Sequence, residues 1–486
     1  MNTTNTVSET GAEPSVKDAV GTNRWYLSAA PIIRALVHLC VPMAAAMVVG
    51  ALYNVINAGF IGSLHDSALL AAITFGTPLI GLVMAVGGVY GVGGGALISR
   101  LLGSAEKDAS EAGQIKHVSS FALWGSVITG AVVGAIGLLL LRPLVVLLGA
   151  DAAAAPATSA YVAVMLAFVP VLAAAFCLEQ LVRAEGAARQ SMIGLIASTI
   201  ANLVFDVVFI LGLHWGVAGA ALALGLSNLV SVGYYAFWLQ RNSEHVSLAP
   251  RWFTLRASVL KPVFGVGIGE LLQSAFLIVT SLVLNNLAVA YGDGPLAAMG
   301  VAVRIAQVPE FLIMGITIGV LPLLAYSYGK GDGRRLGSAL RASAVAVGGI
   351  AVLFSALVFL FRDQVFSVFS SDHALVAIGV TILTAQLVAM IGNGFTGLIT
   401  SLFQATGRAR AAIAMSMAQG VLFIPIVLVA NLWFGLTGLI WALTVTEILV
   451  LIAGVVMWLG SRRAIARGLE EGSVERAEQA LEQAEA

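Results

Sequence analysis

The fold class this sequence predicts is an all-α polytopic membrane protein, with twelve transmembrane helices in two pseudo-symmetric six-helix bundles. Composition, the spacing of apolar runs and an internal repeat each point to it. Of 486 residues, 59% are hydrophobic and only 10% are charged, more apolar surface than a water-soluble chain can hide. The formal net charge is zero, so no net positive field draws nucleic acid to it.

Runs of about 20 apolar residues, the length that crosses a bilayer as a helix, follow one another along the chain. In the first half they fall at 35–61, 69–98, 118–141, 161–182, 192–213 and 217–239. In the second half they fall at 259–290, 296–326, 340–361, 375–403, 411–434 and 436–459. Loop cations crowd one side, Arg100, Lys107, Lys116, Arg183, Arg251 and Arg335 among them, together with both tails; the other side holds only Arg142 and Arg362. Excess Lys and Arg mark the cytoplasmic side, so both termini are expected in the cytoplasm and the helix count is even.

The halves repeat. Leu70–Phe75 (LAAITF) returns as Leu296–Val301 (LAAMGV), and Gly93 and Gly103 match Gly319 and Gly329 at one offset of 226 residues. Gly216–Ala223 (GVAGAALA) returns as Gly435–Ala442 (GLTGLIWA). With six helices each, both halves face the same way and are related by an axis along the membrane normal. The expected layout is a flexible cytoplasmic tail (1–30), an N-terminal bundle (31–240), a cytoplasmic linker (241–258), a C-terminal bundle (259–461) and a polar tail (462–486). For the polar tail a short helix and disorder are both open.

Several features have a structural reading. Cys40 and Cys177 lie in separate apolar helices and read as buried thiols. The glycines of Gly87–Gly95 lack the Lys-Ser/Thr that follows a phosphate loop and lie in a span, so they read as close helix packing. Arg183 and Glu185 read as structural residues at a helix end. No nucleophile triad, metal spacing or nucleotide motif occurs, so neither an enzyme nor a cofactor is expected.

Chemistry concentrates in a few embedded charges. Asp206 sits inside the fifth span, where a charged Asp costs at least ~2.5–3.5 kcal/mol. Asn202, four residues earlier, shares its helical face. Asp206 lies ~10 Å from the outer end of its helix at 1.5 Å per residue, and Asn57 is near the outer end of the first span. Glu270 and Arg304 lie at comparable depths, which predicts an ion pair within the C-terminal bundle. Glu310 and Glu447 are also embedded, with cavity lining and structural packing both open.

These motifs carry a resemblance. Pro42 precedes NVINAGFIG (Asn54–Gly62), and the second span ends in GVGGGALISRLLGSAEKDA (Gly91–Ala109). The fifth contains ANLVFDVVF (Ala201–Phe209), and the second half has VRIAQVPEF (Val303–Phe311) and GVLPLLAYSYGKGD (Gly319–Asp332). The pattern resembles the multidrug and toxic compound extrusion (MATE) family over roughly residues 33–461, most of all its prokaryotic branch. That branch is similar in placing a cation site in the N-terminal bundle. Carried over, its helix-five Asn and Asp fall on Asn202 and Asp206. Its helix-one Asp falls on Asn57 and its helix-six Thr on Leu224, two departures, with Ser227 the nearest hydroxyl.

The resemblance implies a secondary antiporter of the inner (plasma) membrane that exports amphipathic, cationic small molecules by alternating access. Its ion-coupling residues would be Asp206, Asn202, Asn57 and Ser227, and its substrate-cavity candidates Glu270, Arg304, Glu310 and Glu447. One carboxylate beside two amides suits H+ better than Na+ as the coupling ion. The expected partners are the lipid bilayer and a small-molecule substrate, with no nucleic acid, and the chain is expected to be a monomer. A flippase for a lipid or lipid-linked precursor is the alternative, though it would want a basic cavity for phosphate; a non-transporting receptor or channel-like protein is the second.

Overall fold

The computed structural model describes residues 19–63, 67–148, 154–361, 364 and 373–485. The helices of the first half are α1 (Asn23–Ser28), α2 (Ile32–Ser63), α3 (Ser67–Ser104), α4 (Ala112–Leu139), α5 (Leu141–Leu147), α6 (Ala155–Ala184), α7 (Ala188–Asp206) and α8 (Gly216–Asn242). Those of the second are α9 (Ala257–Val289), α10 (Asp293–Lys330), α11 (Gly333–Leu360), α12 (His373–Ala405) and α13 (Ala409–Glu485). Eleven described helices are long and apolar enough to cross a bilayer. The last of them breaks at Gly435, whose φ of 57° and ψ of −134° are not helical, so twelve spans result. Large apolar side chains face outward, for example Leu139 at 85% exposure and Trp433 at 76%, as a lipid-solvated surface requires.

The repeat governs how the halves meet. Helices adjacent in sequence, α2 with α3 and α9 with α10, touch little, while α3 packs along α9 and α2 along α10. These two contacts are equivalent under exchange of the halves, and α3 against α10 closes the seam between them. The repeated glycines sit at the crossings. A Cβ on Gly103 would overlap the Tyr326 carbonyl oxygen, and one on Gly329 would overlap that of Arg100. Arg100 and Tyr326 are themselves 226 residues apart, so the two clashes are one contact seen from each half. Gly93 meets the Val263 carbonyl, and Gly319 meets Cys40 and Leu39. Small residues let backbones approach this closely where no hydrophobic force drives helices together.

Polar contacts seal the same basic end. Lys330 Nζ lies 2.6 Å from Glu106 Oε2, and the Tyr326 hydroxyl donates to Glu106 Oε1. Arg335 on α11 donates to the carbonyls of Tyr26, Leu27 and Ala30, each at 2.8 Å, and so caps the carboxyl end of α1. Leu27 and Ala30 are buried, His38 stacks on Tyr26 with ring centroids 3.7 Å apart, and Gly186 lies against Leu27. For residues 23–30 the expectation of a flexible tail is corrected: α1 is wedged between the halves, because Leu27 supplies an apolar anchor and Arg335 satisfies its last carbonyls. Beside α1 lies a cavity of about 410 Å³ lined in part by Arg24, Glu185, Trp238 and Tyr326. Burial pushes the Glu185 carboxyl up to about 7, and it accepts from the Ser243 hydroxyl.

The linker is anchored too. Ser120 Oγ donates to the Ala249 carbonyl at 2.9 Å, Trp124 Nε1 to that of Leu248 at 2.9 Å and His117 Nδ1 to that of Trp252 at 2.9 Å. The polar tail continues α13 as helix to Glu485. Of the two arginines expected on the side opposite the basic loops, Arg142 is exposed on α5, and Arg362 lies outside the described residues.

Inside the N-terminal half a charged pair is buried. Arg183 Nη1 lies 3.4 Å from Glu179 Oε1, four residues earlier on α6. Ser191 Oγ donates to the same carboxylate at 3.4 Å, and the Tyr235 hydroxyl donates to the Ser191 carbonyl at 2.8 Å. The network ties α6, α7 and α8 together, in keeping with the structural reading of Arg183.

Replacing Gly103 by Ala should force α3 and α10 apart at a cost of about 1–3 kcal/mol. Cys40, whose Sγ donates to the Ile316 carbonyl at 3.7 Å across the α2–α10 seam, reports it: maleimide labelling of Cys40 should rise at least about fivefold, with buried Cys177 as the internal control. Unchanged labelling would refute the seam. Separately, Arg183→Met should destabilise by about 3–5 kcal/mol, and Glu179→Gln/Arg183→Met by less, because the single change strands a buried charge. Strictly additive thermal shifts would sink the pair.

Candidate functional site

Asp206 ends α7, and the chain then changes pitch. Val207–Gly212 is a π-helix rather than a continuation of the expected α-helix. Leu213 N bonds back to the Val208 carbonyl and Trp215 N to that of Phe209, both at 2.9 Å. His214 and Gly216 then turn the chain with positive φ of 57° and 50°. The wide turn seats a rail of aromatic rings: Phe205 stacks on Phe209 at 5.6 Å between centroids, and Phe209 on Trp215 at 5.4 Å. Such π segments are rare and frequent at functional positions.

Around Asp206 the structure gathers polar groups from α2 and α6. Asp206 is 3% exposed and Asn202 5%. The Tyr53 hydroxyl on α2 donates to Asn202 Oδ1, which joins the first span to the fifth. Tyr53 and Tyr161 both lie within electrostatic range of Asp206. Asn57, one turn beyond Tyr53 on α2, has a buried Oδ1 with no hydrogen-bond partner. Among the described residues Asp206 forms no ion pair. The site is thus one uncompensated carboxylate, one amide oxygen already engaged and one amide oxygen left open.

On α8, Ser227 is buried, but its hydroxyl donates to the Leu224 carbonyl of its own helix at 2.9 Å, and Asn228 Nδ2 donates to the same oxygen at 2.9 Å. The Leu224 side chain packs with the apolar cluster around Tyr161 and Leu166. Tyr53 and Tyr161 are the residues sequence reasoning missed. A tyrosine in an apolar helix reads as core, yet Tyr53 lies four residues before Asn57, a spacing that places both on one face.

The second half holds its carboxylates differently. Glu270 and Arg304 do not pair, which corrects the ion pair expected between them. Arg304 is exposed, while Glu270 on α9 packs against Gly88 on α3 and lies within electrostatic range of Arg183 across the seam. The cause is the architecture: α9 packs on α3, not along its sequence neighbour α10. Glu447 is 2% exposed and accepts from Gln419 Nε2. Glu310 Oε1 accepts from Asn393 Nδ2 at 3.4 Å, and the two glutamates lie within electrostatic range of each other. Neither has a cationic partner among the described residues, and no cluster of ligands suited to a metal ion occurs among them.

Comparison with known proteins agrees with this architecture. The MatE family model matches residues 42–208 and 266–429. The chain is 34% identical over 433 residues to multidrug export protein MepA of Staphylococcus aureus (strain MRSA252), covering 89% of this chain and 95% of that protein. It is 33% identical over the same length and shares to MepA of Staphylococcus saprophyticus. Among solved structures, a MATE protein in a bent conformation superposes with a TM-score of 0.83 at 23% identity, over 93% of this chain and 99% of the other. An outward-facing multidrug resistance MATE transporter of the MOP superfamily superposes with a TM-score of 0.81 at 23% identity, over 92% and 98%. The chain belongs to the MATE family.

Proposed function

We propose that this protein exports amphipathic, cationic small molecules in exchange for protons, by alternating access across the inner (plasma) membrane, with its basic end in the cytoplasm. The observation that carries the reading is the buried, unpaired carboxylate of Asp206 where α7 gives way to a π turn. Similarity to multidrug export proteins supports the direction of transport.

A proton suits the site better than Na+. Hard cations want several oxygen ligands and negative charge. Here Asn57 stands where a second carboxylate would be, Leu224 offers no side-chain oxygen, Ser227 bonds to its own helix, and Asn202 Oδ1 is taken by Tyr53. A proton needs only the carboxylate. Its arrival neutralises a charge that hydrocarbon disfavours, and the Tyr53–Asn202 bond carries the change to α2, which packs on α10 of the other half. One proton crossing 100 mV supplies ~2.3 kcal/mol, and each pH unit adds ~1.4 kcal/mol.

The cationic preference rests on Glu310, exposed on α10, and Glu447, buried on α13, two carboxylates in membrane-spanning helices with no cationic partner among the described residues. A flippase for phosphate-bearing lipid would want a basic cavity; Arg183 is committed to Glu179, which leaves Arg304 against those carboxylates.

In everted vesicles, Asp206→Asn should abolish pH-driven uptake of a lipophilic cation, because the amide cannot titrate, while folded yield stays at wild-type level. Tyr53→Phe should leave partial activity. Full transport by a Na+ gradient at fixed pH, insensitive to protonophore, would overturn proton coupling; near-normal uptake by Asp206→Asn would reduce the site to scaffolding.

A further inference from the structure

The linker between the halves carries a second, unassigned feature. Pro250–Trp252 forms a short 3-10 turn against the start of α4. Lys116 Nζ of α4 lies 5.5 Å from the centroid of the Trp252 ring, and Arg251 Cζ of the linker lies 5.5 Å from the same centroid. His117 holds the indole edge-on at 5.3 Å, and its Nδ1 fixes the Trp252 carbonyl. Two cations from different elements are thus gathered on one fixed aromatic ring.

Nothing in the described protein neutralises them. Neither Lys116 nor Arg251 forms an ion pair there. Between Glu244 and Glu270 the chain carries no carboxylate, while Arg256 and Lys261 add further positive charge. The acids just before α4 do not pair with either cation: Glu111 accepts from the neutral amide of Gln114 at 3.3 Å, and Asp108 from Ser110 N at 2.8 Å. Leu255, three residues past the indole, is 67% exposed. Repulsion between the like charges is a cost that an anion would relieve. An indole flanked by cations beside an exposed Leu is the set of residue types that meets phospholipid at a membrane interface.

We propose that Lys116, Trp252 and Arg251 form a binding site for the headgroup of one anionic phospholipid from the leaflet at the basic end, with Leu255 against its acyl chains. Because the linker is the covalent join of the halves, a lipid held between α4 and Arg251 pins it to the N-terminal half. The site rests on the bilayer orientation proposed above, but binding is read on purified protein and is independent of proton-coupled export.

The experiment titrates the detergent-solubilised full chain with phosphatidylglycerol, phosphatidylcholine or inorganic phosphate, counting retained lipid by native mass spectrometry and following the thermal transition. Phosphatidylglycerol should bind and raise the transition, and phosphatidylcholine and inorganic phosphate should not. Lys116→Gln/Arg251→Gln should weaken phosphatidylglycerol binding roughly 25-fold, about fivefold per charge removed, with an unchanged transition in lipid-free detergent. The charge-keeping Lys116→Arg/Arg251→Lys should retain binding. Equal binding by wild type and the neutral variant, loss of binding in the charge-keeping variant, or equal retention of phosphatidylcholine would overturn the proposal. So would a matching shift from inorganic phosphate alone, which would mark a site for a soluble anion.

Discussion

The crossing of α3 and α10 is the constraint on which the rest of this structure depends. Two backbones meet there with no side chain between them, because Gly103 faces one carbonyl and Gly329 its counterpart. Everything else at the basic end follows from that distance. Lys330 can reach Glu106, Tyr326 can reach the same carboxylate, and α1 can sit against both halves under the fork of Arg335. Each contact is modest alone. Together they place many polar and packing interactions at one end of the join between the halves.

The Asp206 cluster sits in the N-terminal half and has a different character. The basic end is bridged by charged and hydroxyl groups between the halves; this site has no such bridge to its carboxylate. Its carboxylate has no cation, and Asn57 holds a buried oxygen without a donor. A protein keeps such groups where their protonation or occupancy changes during work. In the proposed mechanism the contacts that join the halves at the basic end and the unpaired carboxylate are the two parts that work against each other. The path between them is physical and short: Asp206 and Asn202 on one helix, Tyr53 on α2 bonded to Asn202, and α2 lying along α10.

Much of this was legible in the residues. Apolar length predicts the spans, and the offset between Gly93 and Gly319 marks the repeat before any contact is known. What periodicity cannot supply is which helix a given face meets. Glu270 and Arg304 match in depth, and depth is all that sequence reveals; the structure turns α9 toward α3, so Glu270 comes within electrostatic range of Arg183 instead. The π turn after Asp206 is invisible for a related reason, since VVFILG is apolar at every position and fits an α-helix or a wider turn equally well. Glu179 was within reach, four residues before Arg183 on an apolar helix, the spacing of a pair on one helical face. Residues 23–28 read as tail because their anchor, Arg335, lies more than three hundred residues away.

The central claim is that Asp206 gives up its proton when a cationic guest binds. It is tested most directly by adding a lipophilic cation to the purified protein in weakly buffered detergent and measuring proton release with a pH indicator. Release is expected from the wild type, unaffected by Na+, and absent from Asp206→Asn even though that variant still binds the cation. Equal release from the variant and the wild type would contradict the account.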